Sequence, residues 1–98
     1  MITRIVRLTF EETKLADFMQ VFENSKLQIA AFEGCLGLQL MQDATEKNIM
    51  YTLSYWESEA HLNKYRFSSL FKTTWAQTKI LFANKPQAFS LELIEKVK

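Results

Sequence analysis

The spacing of apolar residues changes period along this chain, from two to about 3.6 and back, and that alternation limits the architectures open to it. Residues 2–10 alternate. Ile2, Val6, Leu8 and Phe10 fall on one side, Thr3, Ile5, Arg7 and Thr9 on the other, and Arg4 breaks the apolar side near its start. This pattern predicts a half-buried strand. Glu11, Glu12 and Thr13 then offer acids and a cap for a helix start. Leu15, Phe18, Met19, Phe22 and Ile29 recur at helical spacing, which predicts a helix over 13–31 that stops at Gly34. Alternation returns over 35–42, with Leu36, Leu38 and Leu40 aligned, and again over 48–56. In the latter, Ile49, Tyr51, Leu53 and Tyr55 share a side, while Met50, Thr52, Ser54 and Trp56 share the other. The polar stretch 43–48 between them reads as the turn of a hairpin. Ser58 can cap a short helix over 59–66, and Ser68 a longer one running to about Ala83, ended by Asn84 and Pro86. Residues 88–96 read as a last strand, with Phe89, Leu91 and Leu93 aligned.

The resulting order, β-α-β-β-α-β, predicts a ferredoxin-like α+β fold: a four-stranded antiparallel sheet with helices on one face. Ninety-eight residues suffice for one domain and not for two cores, so the domain is expected to span 1–98. The strongly apolar strand sides are expected beneath the helices. The opposite face would then carry Ile5, Arg7, Gln39, Met41, Met50, Thr52, Trp56 and Ile94. That set is too apolar to leave bare and too polar for a monomer's core. Two such sheets packed face to face, in a homodimer, would cover it.

Charge and cysteine content narrow the function classes. Twelve basic and eleven acidic residues leave a net charge of +1, interspersed rather than blocked, so no long-range field draws in a nucleic acid. A single cysteine, Cys35, excludes an intrachain disulfide and a cysteine-cluster zinc site. The opening MITRIVRLTF is too short and too charged for a signal peptide, and no apolar run reaches the roughly 20 residues of a membrane span. The expectation is a cytoplasmic domain with no membrane partner.

At this point the chain resembles the antibiotic-biosynthesis-monooxygenase-like family of dimeric α/β barrels. The resemblance covers nearly the whole chain. It rests on IVRLTF in the first strand, FEGC leading into LGLQL, the strand end SYWES, the helical YRFSSLFKTTW and the tail TKILFANKPQAFS. It implies a homodimer with one pocket per subunit, between sheet and helices. Members include cofactor-free oxygenases of phenolic or quinol-like substrates, haem-degrading enzymes and proteins without a known reaction. The haem-degrading branch uses an Asn, a Trp and an iron-binding His at positions that correspond here to Val6, Tyr65 and Trp75. Val6 cannot hydrogen-bond a bound oxygen and Trp75 cannot ligate iron, so the sequence departs from that branch. The leading expectation is oxygenation of a small aromatic or quinol-like substrate with O2 and no cofactor or metal.

Cofactor-free oxygenation needs a substrate anion, an apolar water-excluding pocket and a base or hydrogen-bond donor at the anion. The candidate catalytic residues are Tyr65, as donor to the substrate oxygen, Arg66, as counter-charge, and His61, the only histidine. Trp75, Phe71, Val6 and Tyr51 are candidates for substrate contact. Each has a plainer reading. Aromatics at helical spacing are usually core, and His61 among Glu57, Glu59 and Asn63 suits a solvated helix. Cys35 has no neighbouring base and reads as a small buried residue.

Rivals of the same topology lack their signatures. The third strand, NIMYTLSYW, has no RNA-stacking pattern, IVRLTFEET has no glycine for an acylphosphatase loop, and there is no CxxC for copper. Two alternatives stay open: a non-catalytic binding or sensing dimer, and a structural dimer whose pocket is filled by its own aromatics. A cavity of about 300 Å³ or more separates the second from the rest.

Overall fold

The computed structural model describes residues 1–98. The elements follow in the order β1 (Ile2–Thr9), a 3-10 turn (Glu12–Lys14), α1 (Leu15–Ala30), β2 (Cys35–Gln42), β3 (Ile49–Trp56), α2 (Glu59–Arg66), α3 (Ser69–Lys79) and β4 (Gln87–Leu91). The sheet is antiparallel throughout with strand order β2-β3-β1-β4. This is the ferredoxin-like α+β arrangement expected from the periodicity.

The two serine caps form as the sequence predicts. Ser58 Oγ accepts from the His61 backbone N–H at 3.2 Å, and Ser68 Oγ from that of Phe71 at 3.1 Å. The first helix differs: it begins at Leu15 rather than 13, because the 3-10 turn takes up the preceding residues and no side chain caps it. Gly34 has φ +85°, and a Cβ there would stand 2.4 Å from the His61 ring, so the turn after α1 requires glycine on both counts.

Two boundaries fall short of the periodic pattern, each for a reason of pairing. Helix α3 ends at Lys79, not near Ala83, because the chain beyond it bonds to the end of β1. Glu11 N–H donates to Leu81 O at 3.1 Å and Ala83 N–H to Thr9 O at 2.9 Å. Strand β4 ends at Leu91, not 96, because its partner runs out: Leu91 already lies opposite Thr3, near the start of β1.

The register corrects the expected strand faces. Leu8 lies opposite Met50, Val6 opposite Thr52 and Ile2 opposite Trp56, so Met50, Thr52, Ser54 and Trp56 face the helices. Met50 and Trp56 are buried there. Tyr51, Leu53 and Tyr55 point to the open face instead, beside Arg7, Ile5 and Thr3. Strand β4 is reversed in the same sense: Phe89 pairs with Ile5 and Leu91 with Thr3 on the open face, leaving Ala88 and Ser90 under the helices. A bulge between Cys35 and Gly37 takes Leu36 out of line with Leu38 and Leu40, and Leu36 is exposed. Ile94 lies beyond β4, fully outside the sheet.

Beneath the helices the core forms two packed groups. Leu8, Phe10, Phe18, Met50 and Leu81 close one end, and Ile2, Trp56 and Leu62 the other.

Candidate functional site

Between these two groups the helix layer stands off the sheet and leaves a cavity of about 340 Å³. Its lining includes Leu8 and Phe18 from one packed end and Leu62 from the other. Strands β1 and β3 contribute Arg4, Val6, Thr52 and Ser54; α1 contributes Val21, Phe22, Ser25 and Ile29. Helices α2 and α3 contribute Tyr65, Arg66, Phe71, Thr74, Trp75 and Thr78. The cavity is therefore large enough for a small ligand, and the chain's own aromatics line it without filling it.

Those aromatics form a connected run. Tyr65 stacks on Trp56 with centroids 5.0 Å apart and meets Phe71 edge-on at 5.3 Å. Phe71 stacks on Trp75 at 5.7 Å and 11°, and Trp75 meets Phe82 edge-on at 5.6 Å. Offset and edge-to-face contacts of this kind hold each ring against its neighbours and fix the wall before any ligand arrives.

Several polar lining groups are already committed. Ser25 Oγ donates to Val21 O at 2.9 Å, Thr78 Oγ1 to Thr74 O at 2.8 Å, and Ser54 Oγ accepts from Trp56 Nε1 at 2.9 Å. Tyr65 differs. Burial, and secondarily the nearby Cys35, push its hydroxyl up to about 12, with no hydrogen bond contributing. It stays protonated at neutral pH and is a donor, not a base. An Arg4 Nη1–H donates to Ser90 Oγ at 3.0 Å. Its pKa is lowered first by burial and then by repulsion from Arg66. Arg66 ends α2 and is exposed, which puts it where the cavity meets solvent.

Five of the seven candidates from the sequence, Tyr65, Arg66, Phe71, Trp75 and Val6, therefore come together around one space. Two do not. Tyr51 is on the opposite face of the sheet, because β3 is turned over relative to the expected register. His61 is outside the cavity: its Nδ1 is 2.7 Å from Ser58 Oγ and its Nε2 3.7 Å from Glu57, so both ring nitrogens turn to the start of their own helix. Arg4 was missed as a candidate. The signal was present, as the one charged residue on the apolar side of β1. Nowhere do three or more His, Cys, Asp or Glu side chains gather as a metal-ligand set, and no helix is long and apolar enough to cross a membrane.

Fold and cavity define a ferredoxin-like domain with a ligand-sized, aromatic-walled space under its helices. The chain belongs to the antibiotic biosynthesis monooxygenase family, whose model matches residues 1–77. Among solved structures it is similar to a proposed antibiotic biosynthesis monooxygenase of Caulobacter crescentus. The two are 26% identical over 96% of this chain and 90% of that one, with a TM-score of 0.89. The Mycobacterium tuberculosis protein Rv0793 is 15% identical over 99% of this chain and 98% of its own, with a TM-score of 0.89. A conserved protein of Methanosarcina mazei is 18% identical over 92% of this chain and 89% of its own, with a TM-score of 0.88. At these lower identities the likeness is one of fold. No curated protein matches the chain.

Proposed function

We propose that this chain, working as one domain over 1–98 in a cytoplasmic homodimer, is a monooxygenase that inserts oxygen from O2 into a small aromatic or quinol-like substrate without flavin, haem or metal. One observation carries the reading: an aromatic-walled cavity of about 340 Å³ whose lining includes Tyr65, a buried phenol that keeps its proton at neutral pH. A phenol held there as its anion passes one electron to O2. The substrate radical and superoxide then combine through a ring carbon para to the oxygen. The peroxide takes up a proton and loses water as the ring C–H becomes C=O. The balance is phenol plus O2 to para-quinone plus one water, four electrons passing from substrate to oxygen. Tyr65 would hydrogen-bond the substrate oxygen, and Trp75 and Phe71 would hold the ring.

The homodimer is supported by the open sheet face. Ile5, Tyr51, Leu53, Tyr55, Phe89 and Leu91 lie there with no helix over them. Arg7 Nε on the same face is buried with no acceptor, a cost that a partner's oxygen would remove.

The second reading is a binding or sensing dimer, favoured by the absence of any Asp, Glu, His or Lys from the cavity wall. Oxygen uptake with a panel of phenols and quinols separates the two. Turnover that falls in Tyr65→Phe and Trp75→Phe supports the enzyme at this site. Saturable binding with no uptake supports the sensor, and uptake unchanged in both variants would sink the site.

A further inference from the structure

We propose that the cavity takes its aromatic ligand as a preformed mono-anion, selected by Arg4 and Arg66 as paired counter-charges. The inference rests on reading the cavity as the ligand site and adds to it the class of ligand: an acidic phenol or enol that ionises in water before it binds.

Two cations share one largely apolar space with no acid between them. The chain's ion pairs are Lys26–Glu23 and Lys64–Glu33, His61 Nε2 lies 3.7 Å from Glu57, and neither cavity arginine meets an acid. Arg4's one polar partner is the neutral hydroxyl of Ser90 at 3.0 Å. Arg4 is half-buried and Arg66 is close enough to repel it. Partial desolvation of a cation without a counter-ion is unfavourable, and so is the closeness of a second one; a single anion between them relieves both. A guanidinium also presents its donors in a plane, suited to an oxygen at the edge of a flat ring.

The wall offers the ligand no base to take its proton after binding. Its titratable side chains are Arg4, Tyr65 and Arg66 alone. The arginines have no acceptor, and Tyr65 keeps its proton well above neutral pH. A ligand proton therefore leaves to water, and the site favours molecules whose acidity allows this. Arg4, fixed on a central strand between β3 and β4, sets where the charged oxygen rests; Arg66 at the mouth draws the anion in.

The test uses 4-nitrophenol, which titrates near neutrality with a visible colour change and needs no turnover. The expected result is that the wild-type protein binds the anion about tenfold more tightly than the neutral phenol, moving the bound probe's titration down by about one pH unit. Arg4→Gln and Arg66→Gln should each weaken anion binding about tenfold and leave the neutral form's affinity unchanged, with Arg4→Lys restoring most of it. Arg66 is exposed, so its variant guards against a folding failure at Arg4. Equal affinity for the two ionic forms, or variants that lose both equally, would overturn the charge selection while leaving the aromatic cavity as a ligand site. Failure of both forms to bind would overturn that site and this inference with it.

Discussion

The two faces of the sheet are built from the same kinds of residue and differ in what covers them. The face under the helices buries Leu8, Met50 and Trp56 and then leaves a hollow between its packed ends. The other face lines up Ile5, Leu53, Tyr55, Phe89 and Leu91 with no layer above it, and Phe89 and Leu91 are about half exposed, at 51% and 49%. Apolar content alone therefore does not distinguish a core from an interface or from a site wall. What distinguishes them is whether another element reaches that surface, and how closely.

The largest effect that sharpens this contrast is at the closed end of the covered face. Phe10 is fully buried and stacks on Phe18 with centroids 4.3 Å apart. Phe10→Ala should cost about 3–5 kcal/mol in denaturant unfolding. A cost below about 1 kcal/mol would mean that this end is as loose as the cavity. Leu53→Lys probes the bare face at a position with no helix above it. The wild type should have a solution mass near twice 11.5 kDa and the variant a mass near 11.5 kDa, both folded by circular dichroism. A wild-type monomer would break the proposed pairing of sheets.

Tyr65 tests the wall of the hollow through pH. Its folded pKa is about 12 against an ordinary 10.0, so the folded protein holds the proton more tightly than the unfolded chain. The associated stability is fully present below pH 10 and is lost as pH rises towards about 12. The loss should amount to roughly 2–3 kcal/mol, and Tyr65→Phe should lack it. Parallel alkaline unfolding curves for the two proteins would contradict the burial of that hydroxyl. The smallest stability effect is expected at Trp75→Phe, below about 1.5 kcal/mol, because the side chain is only partly buried and lines the cavity. Ligand affinity should fall much more than stability does. A stability loss as large as that of Phe10→Ala would make Trp75 core rather than wall.

Most of the fold was legible because helix and strand period, serine caps and turn composition are local. Ser58 and Ser68 cap the helices that the sequence assigned to them, and the β-α-β-β-α-β order follows from period alone. The site was legible in part. Tyr65, Arg66, Phe71, Trp75 and Val6 meet around the cavity, whereas Tyr51 was placed there through the wrong register. Arg4 was visible as an interruption of β1, but its partner Arg66 is 62 positions away and only folding brings the two guanidinium groups into each other's field.

What the sequence determined by itself is the succession of elements and their topology class, because both follow from spacing within short windows. Only the tertiary structure decided which side of β3 and β4 meets the helices. Both sides of β3 carry large apolar residues, so alternation establishes that neighbours point in opposite directions without saying which direction is inward. That choice comes from the ladder with β1, where Leu8 against Met50 and Ile2 against Trp56 put four apolar side chains under one layer of helices. The hollow between them was decided the same way, by how far the helices stand from the sheet.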